Sequence, residues 1–179
     1  MRIEANTRLR SFPPLVGPAP RVLILGSMPG VASLQANQYY AHPRNRFWPL
    51  MAALLNEPLP ADYPARCALL MHHGIALWDV LAECERPGSL DSAIRTDSQR
   101  PNAITALLVD HPGIRTVITN GGHAARTLTR YVPDLPSHVT VHSCPSTSPA
   151  NARWTREQLA ECWGEVLRPA VSSHLHPAP

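Results

Sequence analysis

Apolar residues in this chain come in short blocks separated by proline, glycine and polar runs, and the blocks alternate in kind. Residues 21–25, RVLIL, form a continuous apolar run closed by Gly26, the pattern of a strand buried on both faces of a parallel sheet. The spacing predicts a helix over 47–55, where Pro49 fits only the first turn. A second helix is expected over 64–73, ended by Gly74, and a short strand over 75–78 whose apolar run Val80 and Leu81 extend. Residues 84–101 form a long polar connection punctuated by Gly88 and Pro101. Asn102 is the expected cap of a helix ending at His111, followed by a strand over 114–119. Gly121 and Gly122 turn the chain into a helix that ends near Tyr131, and 139–141 form a fourth strand. Thr155 and Gln158 have capping-box spacing for a last helix to about Leu167. The first twenty residues are proline-rich and irregular, and 169–179, PAVSSHLHPAP, have the composition of a tail.

Strands alternating with helices at this spacing predict an α/β fold, a three-layer α/β/α sandwich around a central, mostly parallel four-stranded sheet. The 179 residues suit a single domain, 1–179, with an ordered core of about 11–168. Ligands of such sheets bind at the carboxyl ends of the strands. Three segments leave strand ends there: 26–46, Asp79 and 142–153. They are expected to converge on one cleft.

Composition narrows the chemistry. Apolar residues make up 44% and charged residues 16%, as in a globular domain. No apolar run approaches ~20 residues, and MRIEANTRLR lacks the apolar segment of a signal peptide. A cytoplasmic location and a monomer are expected, with no membrane contact. All sixteen basic residues are arginine. No lysine amine is therefore available for a Schiff base, and an imine would have to use the N-terminal amine. Arginine suits phosphate contacts, although a net charge of +3 says little by itself. Cys67, Cys84, Cys144 and Cys162 contain no close pair, so buried thiols are expected and no metal or other cofactor.

The first loop, GSMPG over 26–30, follows a strand and can turn backbone N–H groups toward an anion or carbonyl. It has neither a following lysine nor dinucleotide-binding glycine spacing, and alone it is equally a tight turn. Its continuation carries Tyr39, Tyr40, His42, Arg44, Asn45 and Arg46, aromatic and polar groups suited to a flat ligand. The second loop, HSCPSTSPANAR over 142–153, joins small hydroxyl groups with Asn151 and Arg153. Such groups bond phosphate oxygens, and prolines stiffen a loop. A turn-rich surface connector is the plainer alternative.

In order along the chain, GSMPG, AHPRNRFW, GIALWDVL and CPSTSPANAR resemble the uracil-DNA glycosylase superfamily over about 11–167. The QYYAHPRN and PSTSPAN segments are most similar to its hypoxanthine-DNA glycosylase branch. The resemblance implies a base-excision enzyme that acts on DNA containing deaminated bases, flips the nucleotide out and hydrolyses the glycosidic bond without a lyase step. It implies a base pocket of Gly26, Ser27, Met28, Pro29, Gly30, Tyr40, His42 and Asp79. It also implies a DNA-wedging and DNA-gripping loop of Pro145, Ser146, Thr147, Ser148, Pro149, Asn151 and Arg153, in contact with phosphates or the gap left by the flipped base. Mismatch-specific relatives have asparagine where this chain has Met28, and the resemblance moves that polar work to Asn45 as the catalytic amide.

Hypoxanthine offers an N1–H donor beside its O6 acceptor. A carboxylate at Asp79 would accept from N1–H and find only a lone pair on adenine, a selectivity of ~1–3 kcal/mol. Uracil also has an N–H donor, so a uracil-directed or mismatch-directed enzyme of the same fold remains open. So do a non-catalytic module that binds damaged DNA and a turn-capping role for Asp79.

Overall fold

A computed structural model describes residues 8–172. Its central sheet runs in the order β3-β2-β6-β7, formed by β2 (Val22–Gly26), β3 (Ile75–Asp79), β6 (Thr116–Asn120) and β7 (Thr140–Cys144), all neighbours parallel. The predicted sandwich is present, and the sheet is wholly parallel.

Strand β2 shows why the fold takes three layers. All five of its residues are buried, and alternate side chains point to opposite faces. Val22 and Ile24 enter a core built with α2 (Phe47–Leu55), α3 (Tyr63–His72) and α6 (Arg156–Ser172). Leu23 and Leu25 enter a second core built with α4 (Ile104–Asp110) and α5 (Gly122–Tyr131). A run of apolar residues without polar alternation is what two covered faces require.

Several helix ends form as their residues dictate. Asp62 caps α3 through Ala65 N at 2.8 Å, and Gly74 follows α3 at φ 70°, a backbone region glycine enters freely. Thr155 and Gln158 make both bonds of the capping box, at 2.9 and 3.2 Å.

The proline-rich start and the polar connection differ from expectation. A second, antiparallel sheet in the order β1-β4-β5 joins β1 (Arg8–Arg10), β4 (Leu81–Glu85) and β5 (Arg100–Pro101). It closes a small core of Leu9, Met28, Leu81, Cys84 and Ile94. Asn102 caps no helix. Its amide donates to Ser11 Oγ at 3.1 Å and to the Asp79 carbonyl at 2.8 Å, and α4 starts at Ile104. A short helix, α1 (Val31–Ala36), lies inside the first loop. Strand β7 extends to Cys144, beyond the expected 141. The expected tail from Pro169 is also corrected: α6 runs through Pro169 to Ser172, while 173–179 lie outside the described residues. Among the described residues no helix is long and apolar enough to cross a membrane.

Ile24, fully buried at the centre of the sheet, tests this packing. Ile24→Ala should destabilise the protein by about 2–5 kcal/mol, read as a lower urea midpoint with an unchanged slope. A loss below ~0.5 kcal/mol, the range of surface substitutions, would contradict the two-sided burial.

Candidate active site

The register of the sheet brings the functional strand ends level. Gly26 pairs with Asp79, and Asn120 pairs with Cys144. Above them opens a cavity of about 620 Å³ lined by the 26–30 turn, Tyr40, His42, Asn45, Asp79 and the 143–151 segment with Arg153. Every residue expected at the base pocket and the DNA-gripping loop lines this one cavity.

The 26–30 turn has its carbonyls bonded on the protein side. Gly26 O accepts from Val80 N at 2.8 Å, Ser27 O from Leu81 N at 3.1 Å, and Gly30 O from Leu34 N at 3.0 Å. Met28 O and Pro29 O accept from the guanidinium of Arg86. Pro29 has no N–H, and the N–H groups of Ser27, Met28 and Gly30 have no partner among the described residues. All three residues line the cavity. Met28 lines the cavity but packs into the small core with Leu9 and Cys84. A Cβ at Gly26 would collide with Asp79 Oδ1 and crowd the Tyr40 hydroxyl, so any side chain there would displace the Asp79 carboxyl.

Asp79 is the last residue of β3 and only 4% exposed. Its Oδ2 has no hydrogen-bond partner, so the carboxyl is not a turn cap. Burial first, and the nearby Asp91 after it, push its pKa up to about 8 against the opposing pull of Arg86. At neutral pH this group is mostly a neutral acid. Tyr40 stacks on Phe47 with ring centroids 3.9 Å apart and has φ 54°, a strained value for a tyrosine. Its buried hydroxyl makes no hydrogen bond of good geometry, and burial together with Asp79 holds it well above the ordinary phenol range against the lowering effect of the neighbouring Asn120 side chain. Tyr39 is instead a core residue whose hydroxyl donates to Pro13 O at 3.1 Å.

Asn45 is tethered by one end. Its Oδ1 accepts from Phe47 N at 3.0 Å, at the start of α2, which leaves the NH2 group without a partner among the described residues. The amide is therefore oriented as a donor. His42 accepts from Arg44 N through Nδ1 at 3.1 Å, which places any ring N–H of the neutral form on Nε2.

In the second loop the expected phosphate-binding residues divide into two groups. Thr147 is fully buried: its N–H donates to Asn120 Oδ1 at 2.9 Å and its hydroxyl accepts from Asn120 Nδ2 at 3.0 Å. The Asn151 amide donates to Ser146 O at 2.9 Å. These two side chains brace the loop. Ser146 and Ser148 hydroxyls each accept from a backbone N–H two residues on, at 3.2 Å, so their own protons remain available to donate. Arg46 joins the two loops by bonding the carbonyls of Ser148, Asn151 and Trp154 with its guanidinium and Thr147 O with its own N–H.

Sequence reasoning missed Asn120, Arg86 and Asp91. Ser27 Oγ donates to Asp91 Oδ2 at 2.8 Å, and Arg86 lies 3.7 Å from Asp91 Oδ1. Asn120 closes a strand, as Asp79 does, and a polar residue ending a buried apolar run was the signal available. Arg86 and Asp91 sat in a connection whose sequence gives no sign of folding back.

The parallel α/β sandwich thus carries a cavity at its strand ends, walled by an aromatic loop and a braced proline-rich loop. The uracil DNA glycosylase superfamily model matches residues 13–167. A protein from Methanosarcina acetivorans named hypoxanthine DNA glycosylase is 34% identical over 161 residues, covering 89% of this chain and 98% of its own length. A second of that name, from Methanosarcina barkeri, is 35% identical over 113 residues, covering 63% and 70%. A solution NMR structure from Methanosarcina acetivorans, provisionally assigned as a uracil DNA glycosylase, superposes with a TM-score of 0.75 at 31% identity. It covers 92% of this chain and 99% of that one. The chain belongs to the uracil DNA glycosylase superfamily and is a DNA glycosylase.

The Arg46 clamp is directly testable. Arg46→Lys cannot reach three carbonyls at once, so amide exchange across 147–154 should accelerate on the order of 10-fold or more, with exchange in β2 unchanged. Unaltered exchange in the loop would show that its shape does not depend on Arg46.

Proposed function

We propose that this protein excises hypoxanthine from deoxyinosine in DNA as a monofunctional glycosylase, acting as a single-domain monomer in the cytoplasm on nucleoid DNA. The observation that carries base excision is the buried Asp79 carboxyl, its Oδ2 unpartnered, lining a cavity that also holds the free amide of Asn45. The two relatives named for this activity support it.

A base within a duplex must be extruded before its glycosidic bond can be reached. The ring of Tyr40, backed by Phe47, gives the cavity an aromatic wall suited to a flat extruded base. As the C1′–N9 bond breaks, its electron pair leaves with the base and positive charge grows on the sugar. Water adds to C1′ and gives its proton to solvent. Donors aimed at the departing base lower this barrier, and the Asn45 NH2 with the N–H groups of Ser27, Met28 and Gly30 are the donors assigned that task. Ser146, Ser148 and Arg153 serve the phosphates.

The raised pKa of Asp79 alters the selectivity argument. A neutral acid can donate to O6 and accept from N1–H of hypoxanthine, a two-bond match. It can equally donate to adenine N1 and accept from its amino group, so Asp79 does not exclude adenine. Discrimination then rests on extrusion, which costs least for a mispaired base such as deoxyinosine opposite thymine.

An oligonucleotide panel tests the activity. Duplexes carrying deoxyinosine should break only after alkali, with deoxyuridine cleaved more slowly and normal bases untouched. Breakage without alkali, accompanied by a borohydride-trapped adduct, would contradict monofunctional hydrolysis. Equal or faster cleavage at deoxyuridine would make uracil the substrate.

The pH profile tests Asp79. Its proton is held up to about pH 8, so excision should fall as pH rises through 8, when the anion faces O6 and the departing base. Asp79→Asn keeps one donor and one acceptor, and should retain activity while abolishing that fall. The linkage gives a second readout. Between about pH 4, the ordinary carboxyl pKa, and 8 the folded state holds a proton that the unfolded state has lost. Stability should therefore decline as pH rises across that window, and Asp79→Asn should remove the decline. Wild-type excision that rises through pH 8 would mean that the carboxylate is the active form.

A further inference from the structure

Base excision leaves two thiols of the cavity without a task. Cys67, Cys84 and Cys144 are buried, as expected of the cysteines, whereas Cys162 is only half-buried. Cys144 and Cys162 are both free thiols, and both line the strand-end cavity.

Their closeness follows from the fold. Cys144 ends β7, where its carbonyl accepts from Gly121 N at 2.9 Å and its side chain enters the core shared with α6. On α6, Leu159 and Trp163 are buried in that same core. Cys162, three residues after Leu159, stands at the margin of this buried face. The residues that follow each cysteine are bonded to one another: Trp163 Nε1 donates to Pro145 O at 2.9 Å. This bond draws the helical turn of Cys162 against the strand end of Cys144, and the two thiols interact. Burial first, then the charge of Cys162 and a hydrogen bond with it, push the Cys144 pKa up to about 12. A thiol held so firmly protonated is a poor first nucleophile. Burial pushes Cys67 and Cys84 upward too. Cys162, half-buried and open to the cavity, is the thiol that a small oxidant reaches.

We propose that Cys144 and Cys162 are a peroxide-sensitive pair whose disulfide switches the site off. The Cys162 thiolate attacks one oxygen of hydrogen peroxide and the O–O bond breaks. Hydroxide leaves and takes up a proton as water, and Cys162 becomes a sulfenic acid. The Cys144 sulfur then attacks the Cys162 sulfur. The Cys144 proton joins the departing hydroxide as a second water, and the S–S bond closes. Two thiols give up two electrons, and one peroxide becomes two waters. The buried Leu159, Trp163 and Leu167 hold α6 in place, so the movement falls on the strand end and on Pro145 and Ser146, which open the second loop. The loss of activity rests on the reading of that loop as a DNA contact; the disulfide itself does not.

Peroxide treatment of the reduced full-length protein, followed by intact mass and by single-turnover excision from a deoxyinosine duplex, tests the pair. The monomer should lose the mass of two hydrogen atoms, and a tryptic digest should hold the Cys144 and Cys162 peptides joined. Excision should fall on the order of 10-fold or more, the scale of a misplaced binding group, and a dithiol reductant should restore it. Cys162→Ser should match the reduced wild type in rate and melting temperature, and keep its rate through peroxide. Cys144→Ala should stop at the sulfenic acid, which dimedone traps on Cys162. If Cys144→Ala does not fold, the Cys162→Ser comparison decides alone.

No joined peptides, a bond between two copies of the chain, or an equal loss of rate in Cys162→Ser would overturn the pair. Joined peptides with full excision would overturn the switch. Reduced protein that excised no base from any strand would instead refute the glycosylase reading. The joined peptides, with fluorescence anisotropy on a duplex containing a tetrahydrofuran abasic analogue, would then still decide the inference: oxidised protein should bind that duplex more weakly, and unchanged binding would overturn the switch.

Discussion

The burial of Arg86 beneath the 26–30 turn is the contact on which the site depends. A guanidinium removed from water is costly unless its donors are used, and here they meet the carbonyls of Met28, Pro29 and Gly88 and the carboxylate of Asp91. That arrangement fixes the turn with its carbonyls bonded inward and its remaining N–H groups unused. It also sets the local charge. Arg86 is the only group opposing the upward shift of the Asp79 carboxyl, and Asp91 partly cancels it. The same clamp anchors the loop that follows β4. Turn, acid and loop are consequences of one buried cation and its acceptors.

Arg46 does the corresponding work between the loops that follow β2 and β7. The chain has no lysine, and both clamps use the one basic side chain that can engage several carbonyls in a plane at once. Composition and architecture meet here: arginines that do not reach a guest hold the backbone that does. Asn45 shows the same economy. Its oxygen starts α2, and its nitrogen is left for the cavity, so a structural role and a chemical one coexist in a single amide.

The sheet and its covering helices were legible because their signals are local. The VLIL of 22–25 is apolar at every position, as a strand covered on both sides must be, and Gly74 and the Thr155–Gln158 pair announce helix ends through their own chemistry. The candidate cavity was legible for a related reason: unusual residues cluster where strands end, and in a parallel sheet those ends lie together. The second sheet was not legible. Arg8–Arg10 and Arg100–Pro101 have no strand pattern, and they become strands only because β4 offers them an edge. Asn102 misled because a helix cap and a bond to a distant carbonyl look identical in sequence. Pro169 suggested an end to α6, yet the helix continues through it. The protonation of Asp79 was hidden as well, since it arises from burial and from Asp91, twelve residues away.

The account makes Asn45 a donor in the transition state, and single-turnover excision from a deoxyinosine duplex by Asn45→Asp measures that most directly. Aspartate keeps an oxygen for Phe47 N and caps as well as asparagine, so the fold and the melting temperature should be preserved. It replaces the NH2 donor with a charge facing an anionic leaving group. Excision should therefore fall by ~100-fold or more, the loss typical of one preorganised donor, with duplex affinity changed far less. Full activity in Asn45→Asp would show that the amide serves only to start α2, and would contradict the mechanism.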